Sequence, residues 1–525
     1  MKKLYGLPTV VTLLAALIGV IVYRFSIYDG NSAFVWRVPL DLKIYWLAGG
    51  EVAQGANLYD NAYIGDLPFT YPPFSGTLFT WLSSLADDPL ILLWQGGTAL
   101  ALFTVIMLVL RERGLKLSPA MWLLGILLLC CTPANEPVHG TLFFGQINIF
   151  LMLLVALDLL PRKRALPGIG IGLAAGMKLT PAYMGLVLLF QKRWWQAIIA
   201  ILTFAVTVAI GFVTIPDAAE FWTDAIFKSS RVGEHTNPGA QSIRSVMVRA
   251  WGIDGGWVWL AAVVVVFILT CLALRTAMKH RNNSAALALA GISSCLVSPF
   301  SWYHHWVWTV PLAVVVLVSV NQTLGRRLHG FLGAQFAGFV SVLAMCAVTM
   351  PFISAPVWLS AASRSLNHWD LQPWGMLAFT GAGVIYIAFY AVWGFIPGTQ
   401  PAKETTTPGS PQQPAAAQSA ATTTAAHPAH SVNTESTTRG GHSRAARTIS
   451  DETAEMPAVG PETRAFPASQ DITDIPDTPA YGATRAPRTK PEAATGPLPS
   501  RFRAGGRCAA RGRSPQPPRA SCQFL

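Results

Sequence analysis

The sequence predicts an all-α polytopic membrane protein: about ten transmembrane helices in a bundle, one re-entrant helical hairpin and a disordered C-terminal tail. Three observations support this fold class. Apolar runs of membrane-spanning length follow one another from the N-terminus to about residue 397. Charged residues make up 12% of the chain, which is about half the usual share in a soluble protein. Short clusters of arginine and lysine separate the apolar runs, as is typical of cytoplasmic loops.

The first apolar run begins at Leu7, directly after Lys2 and Lys3. No small-residue cleavage site follows it, so we interpret this run as a retained helix and not as a removed signal peptide. The predicted transmembrane helices lie at about residues 7–23, 90–110, 119–134, 142–160, 195–215, 257–277, 284–299, 306–322, 331–350 and 373–395.

The basic clusters predict the orientation of these helices, because arginine and lysine accumulate in cytoplasmic loops. The clusters lie at residues 2–3, 111–116, 162–164, 192–193, 275–281 and 326–327. We therefore expect a cell-membrane protein whose N-terminus and C-terminal tail are cytoplasmic. The extracytoplasmic segments are then residues 24–89, 135–140, 216–256, 301–305 and 351–372.

Residues 165–190 are apolar but contain Lys178 and Pro181 near the middle, and basic clusters flank both ends. A single transmembrane helix here would place the 192–193 cluster outside. It would also move every later loop to the opposite side of the membrane. A re-entrant pair of short helices keeps both clusters inside and is the preferred interpretation. Non-helical backbone within a bilayer is tolerated only where it lines a cavity in the protein. The hairpin therefore predicts that Lys178 lies deep in the membrane, beside such a cavity.

The composition changes at residue 398, so we divide the chain into a transmembrane domain, residues 1–397, and a tail, residues 398–525. The tail is rich in Pro, Ala, Thr, Ser and Arg and has too few large apolar side chains to form a core. The net charge of +12 comes from the loops and the tail and does not indicate nucleic-acid binding. No phosphate-binding glycine motif is present, and the cysteines have no zinc-binding spacing, so no cofactor is predicted.

On the predicted topology, polar and aromatic side chains converge at the extracytoplasmic side. Asp41 opens the first outer segment and is a candidate general base, although an ordinary surface carboxylate is the alternative. The candidate substrate-binding residues combine aromatic rings, which suit sugar faces, with amides: Tyr45, Tyr71, Gln146, Asn148, Gln241 and Trp302. For the rings, the alternative is an aromatic belt at the membrane interface, and for Gln146 and Asn148 it is hydrogen bonding between helices.

Lys178 is the strongest single signal, because an unpaired ammonium inside a bilayer is unfavourable and is usually functional. Together with Arg244, His304 and His305, it forms a candidate binding site for the phosphate of a lipid-borne substrate. Adjacent histidines on a helix point apart, and no glutamate completes a zinc-binding set. No metal site is therefore predicted.

The order of these features resembles glycosyltransferase family 87, a family of GT-C type transferases. The resemblance covers about residues 1–395 and rests on motifs that are weak singly but specific in this order. The motifs are Asp41-Leu42-x-x-Tyr45 with Asn57-Leu58-Tyr59, Tyr71-Pro72-Pro73, Gly145-Gln146-x-Asn148, Lys178-Leu179-x-Pro181, Gln241-Ser242 with Arg249, and Ser298-Pro299-x-Ser301-Trp302-x-His304-His305.

This resemblance implies a GT-C-like bundle that transfers mannose from polyprenyl-phosphate-mannose to a lipid-anchored mannoside of the lipomannan or phosphatidylinositol-mannoside type. The expected product is an α-(1→2) linkage, formed with inversion on the outer face of the cytoplasmic membrane. The resemblance also places the general base at Asp41. The partners expected are the lipid-linked donor, the lipid-anchored mannan acceptor and membrane lipids, with no nucleic acid.

Two alternatives remain open at this point. An arabinofuranosyltransferase that uses decaprenyl-phosphate-arabinose would share the architecture and differ in the sugar. A transporter of lipid-linked sugars would need internal repeats and charged residues along a path through the bilayer. The polar groups instead gather at one face, which favours the transferase.

Overall fold

The computed structural model describes residues 2–27, 36–161, 166–353 and 372–395, and these residues are largely helical. The predicted tail and most of the predicted outer segment 351–372 lie outside the described residues. The α-helices are α1 Leu7–Ile27, α2 Leu40–Ala53, α3 Pro73–Phe79, α4 Asp87–Glu112, α5 Pro119–Cys131, α6 Glu136–Phe144, α7 Asn148–Leu159, α8 Ile169–Met177, α9 Gly185–Phe190, α10 Trp194–Thr214, α11 Ala218–Thr223, α12 Ile243–Trp251, α13 Gly256–Lys279, α14 Asn283–Val297, α15 Thr309–Arg327, α16 Gly330–Thr349 and α17 Gln372–Trp393.

In the described part of the chain, five helices are long and apolar enough to cross a membrane: α4, α10, α13, α15 and α16. Helices α5 and α6 form a further candidate, bent by 80° at their junction. Shorter apolar helices occur within α1, α7, α14 and α17. The predicted multi-helix membrane fold is thus confirmed, whereas the number of ten transmembrane helices stays a prediction.

The buried and lipid-facing surfaces differ as expected for a membrane bundle. Helix α14 is almost wholly buried, with alanines and a glycine that let neighbouring helices approach. At Gly291, a Cβ atom would lie 2.1 Å from the Trp308 indole. Helices α10, α13 and α16 instead expose large apolar side chains, including Val213 and Leu332. These three helices therefore carry much of the exposed apolar surface of the described residues, as expected for helices that face lipid.

The predicted transmembrane helix at 142–160 differs from the structure. Helix α6 ends at Phe144, and Gly145 follows with a φ of 69°, after which α7 begins at Asn148. A side chain at position 145 would clash with Pro39 and Leu42, because its Cβ atom would lie 2.8 Å from each of them. The tight approach of α2 therefore breaks the helix here. The segment 135–140, predicted as a turn, is largely the start of α6.

The predicted first outer segment is also more regular than expected. It contains α2, α3 and a two-stranded antiparallel hairpin of β1, Ala62–Ile64, and β2, Leu67–Pro68. Helix α2 begins after Pro39, whose extended backbone ends the preceding segment. Asp41 consequently lies in the first turn of a helix, where a carboxylate interacts favourably with the helix dipole.

The segment predicted as a re-entrant hairpin contains two short helices, α8 and α9, separated by a break, and its re-entrant path stays a prediction. Helix α8 ends at Met177. The next residue, Lys178, has an extended backbone with a φ of −155° and a ψ of 131°, and a 3-10 turn with Pro181 leads into α9. Both ends of the segment meet at Asp158: its carboxylate accepts from the amides of Gly168 and Ile171, and its carbonyl accepts from Arg193 at 2.9 Å. The chain therefore enters and leaves the hairpin at the same place.

Candidate active site

Asp41 projects from the first turn of α2 and is half-buried. One of its carboxylate oxygens, Oδ2, accepts a hydrogen bond from Nε2 of Gln146, which lies between α6 and α7. Burial raises the pKa of Asp41 to about 6, while the Gln146 hydrogen bond and the charge of Lys178 act in the opposite direction. A carboxyl group with this pKa is ionised near neutral pH and is basic enough to accept a proton from a hydroxyl group in the transition state.

Tyr45 and Tyr71 lie beside this carboxylate. The two hydroxyl groups lie 2.9 Å apart, and the Tyr71 hydroxyl donates to Gln146 Oε1 at 2.9 Å. Tyr45 is stacked on Phe79 and is almost fully buried. The Tyr45 hydroxyl group is already hydrogen-bonded to the Tyr71 hydroxyl group. A substrate could contact it, as predicted, only by gaining access to this buried pair.

Lys178 lies at the break after α8, outside the helix. Its side chain reaches the residues around Asp41 and Gln146. Its Nζ donates to Asn148 Oδ1 at 2.9 Å, lies 3.0 Å from His305 Nε2 and stands 5.1 Å from the centre of the Tyr71 ring. Among the described residues, no carboxylate forms a salt bridge with this ammonium. The site therefore holds a cation whose direct contacts in the described structure are neutral groups.

The two histidines occupy one 3-10 turn but have different surroundings. The Nδ1 atom of His305 lies 3.2 Å from the backbone nitrogen of Trp302 and 3.3 Å from Ser301 Oγ, so both ring nitrogens of His305 have neighbours. His304 is 4% exposed, and within the described structure neither of its ring nitrogens has a hydrogen-bond partner. Buried imidazoles normally form hydrogen bonds. His304 therefore has ring nitrogens that remain available to a ligand, in contrast to His305.

The loop that carries Gln241 packs against this turn. The Gln241 backbone amide donates to the Ser301 carbonyl at 2.6 Å, and the Tyr303 amide donates to the Gly239 carbonyl at 2.8 Å. The Trp302 indole donates to the Val232 carbonyl at 3.0 Å. Arg249 holds the loop in shape, because its Nη1 atom donates to three carbonyl groups of residues 235–240. This role of Arg249 was not predicted from its motif.

Arg244 has a different environment from the one predicted. Its Nε atom pairs with the Asp254 carboxylate at 2.7 Å, and its guanidinium lies 5.9 Å from the centre of the Trp259 ring. These described contacts of Arg244 do not include Lys178, His304 or His305, and its role in binding phosphate stays a prediction. The structure brings together Asp41, Gln146, Asn148, Lys178 and His305, with Tyr45, Tyr71, Gln241, Trp302 and His304 around them.

Two anchoring residues were also missed. The Asp217 carboxylate accepts from the backbone amides of Leu58, at 2.9 Å, and Tyr59, at 2.6 Å, and so links two of the predicted outer segments. The Ser75 hydroxyl donates to the Met177 carbonyl at 2.6 Å and fixes α3 against the residue before Lys178. The only sequence signal for Asp217 is a carboxylate immediately after a predicted transmembrane helix.

A small, partly open cavity adjoins the cluster on the side of the hairpin and α14. Its wall combines hydroxyl, amide and imidazole groups with apolar side chains. The lining residues are Asn148, Leu151, Thr180, Pro181, Ser294, Cys295, Ser301, His305 and Trp308.

Comparison with known proteins identifies the family to which this chain is similar. Residues 69–299 match the model of glycosyltransferase family 87. Over 368 residues, 67% of this chain and 89% of the relative, the chain is 30% identical to a polyprenol-phosphate-mannose-dependent alpha-(1-2)-phosphatidylinositol pentamannoside mannosyltransferase of Mycolicibacterium smegmatis. Over 306 residues, 53% and 70% of the two chains, it is 31% identical to a polyprenol-phosphate-mannose-dependent alpha-(1-2)-phosphatidylinositol mannoside mannosyltransferase of Mycobacterium tuberculosis.

A third relative, an alpha-(1->3)-arabinofuranosyltransferase of Corynebacterium glutamicum, is 28% identical over 378 residues, 65% of this chain and 86% of the relative. The helical membrane fold and these relatives define the class of protein: it is a membrane glycosyltransferase of the polyprenol-phosphate-mannose-dependent mannosyltransferase type. The chain belongs to glycosyltransferase family 87, as the motifs in its sequence predicted.

Proposed function

We propose that this protein transfers mannose from polyprenyl-phosphate-mannose to a lipid-anchored mannoside, with inversion, on the outer face of the cytoplasmic membrane. The observation that carries the proposal is the presence in one cluster of Asp41 and Lys178, an ammonium without a carboxylate partner among the described residues. An anionic group of a substrate would supply that partner. The names of the relatives support mannose as the sugar, phosphatidylinositol mannosides as acceptors and α-(1→2) as the linkage.

In the proposed reaction, Asp41 removes the proton from an acceptor hydroxyl group as its oxygen attacks the anomeric carbon. The bond between that carbon and the phosphate oxygen breaks on the opposite face of the sugar, so a β-linked donor yields an α-linked product. The bonding electrons leave with the polyprenyl phosphate, which gains negative charge. Lys178 stabilises this charge, since a positioned cation acts most strongly where charge develops. His304, with two unpartnered nitrogens in the described structure, provides a further hydrogen-bond donor for the phosphate.

The proposal is tested with membranes that contain the full-length protein, polyprenyl-phosphate-[¹⁴C]mannose and defined phosphatidylinositol mannosides. We expect a radiolabelled product that α-(1→2)-specific mannosidase digestion and linkage analysis identify. Decaprenyl-phosphate-[¹⁴C]arabinose is assayed in parallel, because one relative is an arabinofuranosyltransferase. Transfer of arabinose without transfer of mannose would contradict the proposed donor and support the second candidate.

We also propose a topology of about ten transmembrane helices and one re-entrant hairpin, with the cluster outside and both termini inside. The hairpin makes this proposal testable: residues at both of its ends contact Asp158, which supports a segment that adds no crossing of the bilayer. The predicted tail, residues 398–525, is proposed to be cytoplasmic and dispensable for the chemistry.

The topology is tested with single cysteines introduced into a cysteine-free variant at exposed positions. Asn57→Cys and Thr236→Cys should react with an impermeant maleimide in intact cells, whereas Lys192→Cys and Arg281→Cys should react only after lysis. Thr236 and Arg281 are both exposed, so this pair is matched in accessibility within the protein. Labelling of Arg281→Cys in intact cells would mean that residues 166–193 cross the bilayer once.

A further inference from the structure

Two amide side chains connect the carboxylate and the cation of the site. Asn148 lies between Lys178 and Gln146: its Oδ1 is 2.9 Å from Lys178 Nζ, and its Nδ2 is 3.4 Å from Gln146 Oε1. Gln146 in turn donates from Nε2 to Asp41. The chain of contacts is therefore Lys178, Asn148, Gln146 and Asp41. Both amides are buried, with 6% of each residue exposed.

The neighbours of Asn148 determine which way its amide points. A backbone carbonyl is only an acceptor. The His304 carbonyl, 2.9 Å from Nδ2, must therefore face the amide nitrogen, which leaves the amide oxygen facing Lys178. Reversal of the Asn148 amide would set two acceptors, its own oxygen and the His304 carbonyl, against each other. The orientation of Asn148 is thus enforced by a group that cannot donate.

The same reasoning extends to Gln146. Asn148 presents N–H toward it, so the facing atom of Gln146 is its oxygen, which also accepts from the Tyr71 hydroxyl at 2.9 Å. The nitrogen of Gln146 is then directed at Asp41. The N–H of Gln146 needs an oxygen of Asp41 that accepts a hydrogen bond. In the ionised form of Asp41, both carboxylate oxygens can accept.

We propose that Gln146 and Asn148 are positioning residues that form an oriented amide bridge, through which Lys178 favours the ionised, proton-accepting form of Asp41. In this role they act through Asp41 and Lys178 and do not bind the sugar. Hydrogen bonds in series polarise one another, most strongly in a buried environment. The bridge couples the two halves of the reaction, because the cation that receives the leaving phosphate also supports the base. The coupling rests on the proposed function, whereas the bridge itself can be tested without substrate.

The test measures the ionisation of Asp41 directly in the purified full-length protein by infrared difference titration. The band of the protonated carboxyl group is assigned by its absence from Asp41→Asn. The groups that face Asp41 are Tyr45 on its own helix, Tyr71 before α3, Gln146 before α7 and Lys178 after α8. Burial dominates the pKa of Asp41, and Gln146 and Lys178 lower it.

Gln146→Met keeps the length of the side chain and removes both of its polar ends. We expect the midpoint of Asp41 ionisation to rise by at least about half a pH unit in this variant. Gln95→Met is the matched control, because Gln95 is a partly buried amide that donates to the Leu142 carbonyl and has no described contact with Asp41. An unchanged midpoint in Gln146→Met, or an equal rise in Gln95→Met, would overturn the bridge.

A double-mutant cycle separates the bridge from a direct effect of the Lys178 charge through space. Lys178→Met should raise the midpoint of Asp41 in the wild-type background and raise it much less when Gln146 is already methionine. Equal shifts in both backgrounds would overturn transmission through the amides. Asn148→Leu provides the same comparison if Gln146→Met does not fold. Since these measurements use no donor or acceptor, a failure of the transfer assay would remove the proposed function and leave this result intact.

Discussion

Replacement of Asp41 by asparagine is expected to lower the rate of transfer by about 10²-fold or more, because the variant has no group to accept the acceptor's proton. The fold should persist, since the asparagine oxygen still accepts the hydrogen bond from Gln146. The measurement is the initial rate at saturating donor, together with thermal unfolding of the same preparation. Asp66→Asn, at an exposed position in the turn between β1 and β2, is the matched control and should retain full activity.

The pH dependence of the wild-type rate tests the same assignment. Burial raises the pKa of Asp41 to about 6, so the carboxyl group is protonated and inactive as a base below this value. The value of kcat/KM should therefore fall as the pH drops through about 6. Wild-type activity in Asp41→Asn, or a flat profile across the pH range around 6 where this pKa predicts a change, would remove Asp41 from the proposed mechanism.

Replacement of Lys178 by methionine is expected to weaken donor binding by about 1.5–3 kcal/mol, the range for a hydrogen bond to a charged group. Methionine retains the apolar stem but cannot stabilise the phosphate. Lys178→Arg should restore binding only in part, because a planar guanidinium does not replace a compact ammonium held by Asn148 and His305. Lys43→Met is the control, since Lys43 is an exposed lysine on the same helix as Asp41.

Donor affinity and thermal stability are measured on the same purified Lys178→Met protein. A purely structural lysine would be revealed by a large loss of stability with unchanged donor affinity. In that case the phosphate site would have to be sought around His304 and Arg244. A loss of affinity with near-normal stability would instead support the proposed phosphate contact.

The membrane class, the positions of most helices and the break at Lys178 could be predicted from local sequence. Each apolar run, and each group of basic residues between two runs, lies within one continuous segment of the sequence. These signals can therefore be identified without tertiary structure. A lysine and a proline within an apolar run are local signals of the same kind. The family motifs could also be recognised in the sequence, because each extends over only a few residues.

The break between α6 and α7 could not be predicted in this way. It depends on the close approach of Pro39 and Leu42 to Gly145, which is far from both of them in the chain. The helices of the predicted first outer segment were missed for a related reason. Their aromatic residues, such as Tyr45 and Phe79, are buried against each other and not against lipid, and hydropathy alone does not distinguish these environments.

The sequence by itself thus determined which segments are helical and apolar enough for a membrane, and which residue types are available for chemistry between them. Only the tertiary structure decided how those residues are combined. Asp41 meets Gln146, and Lys178 meets His305, across separations of 105 and 127 residues, while Arg244 pairs with Asp254. Hydrogen-bond partners depend on distances of a few ångströms and on the direction of each donor. These quantities arise from the packing of distant helices, and local sequence does not specify them.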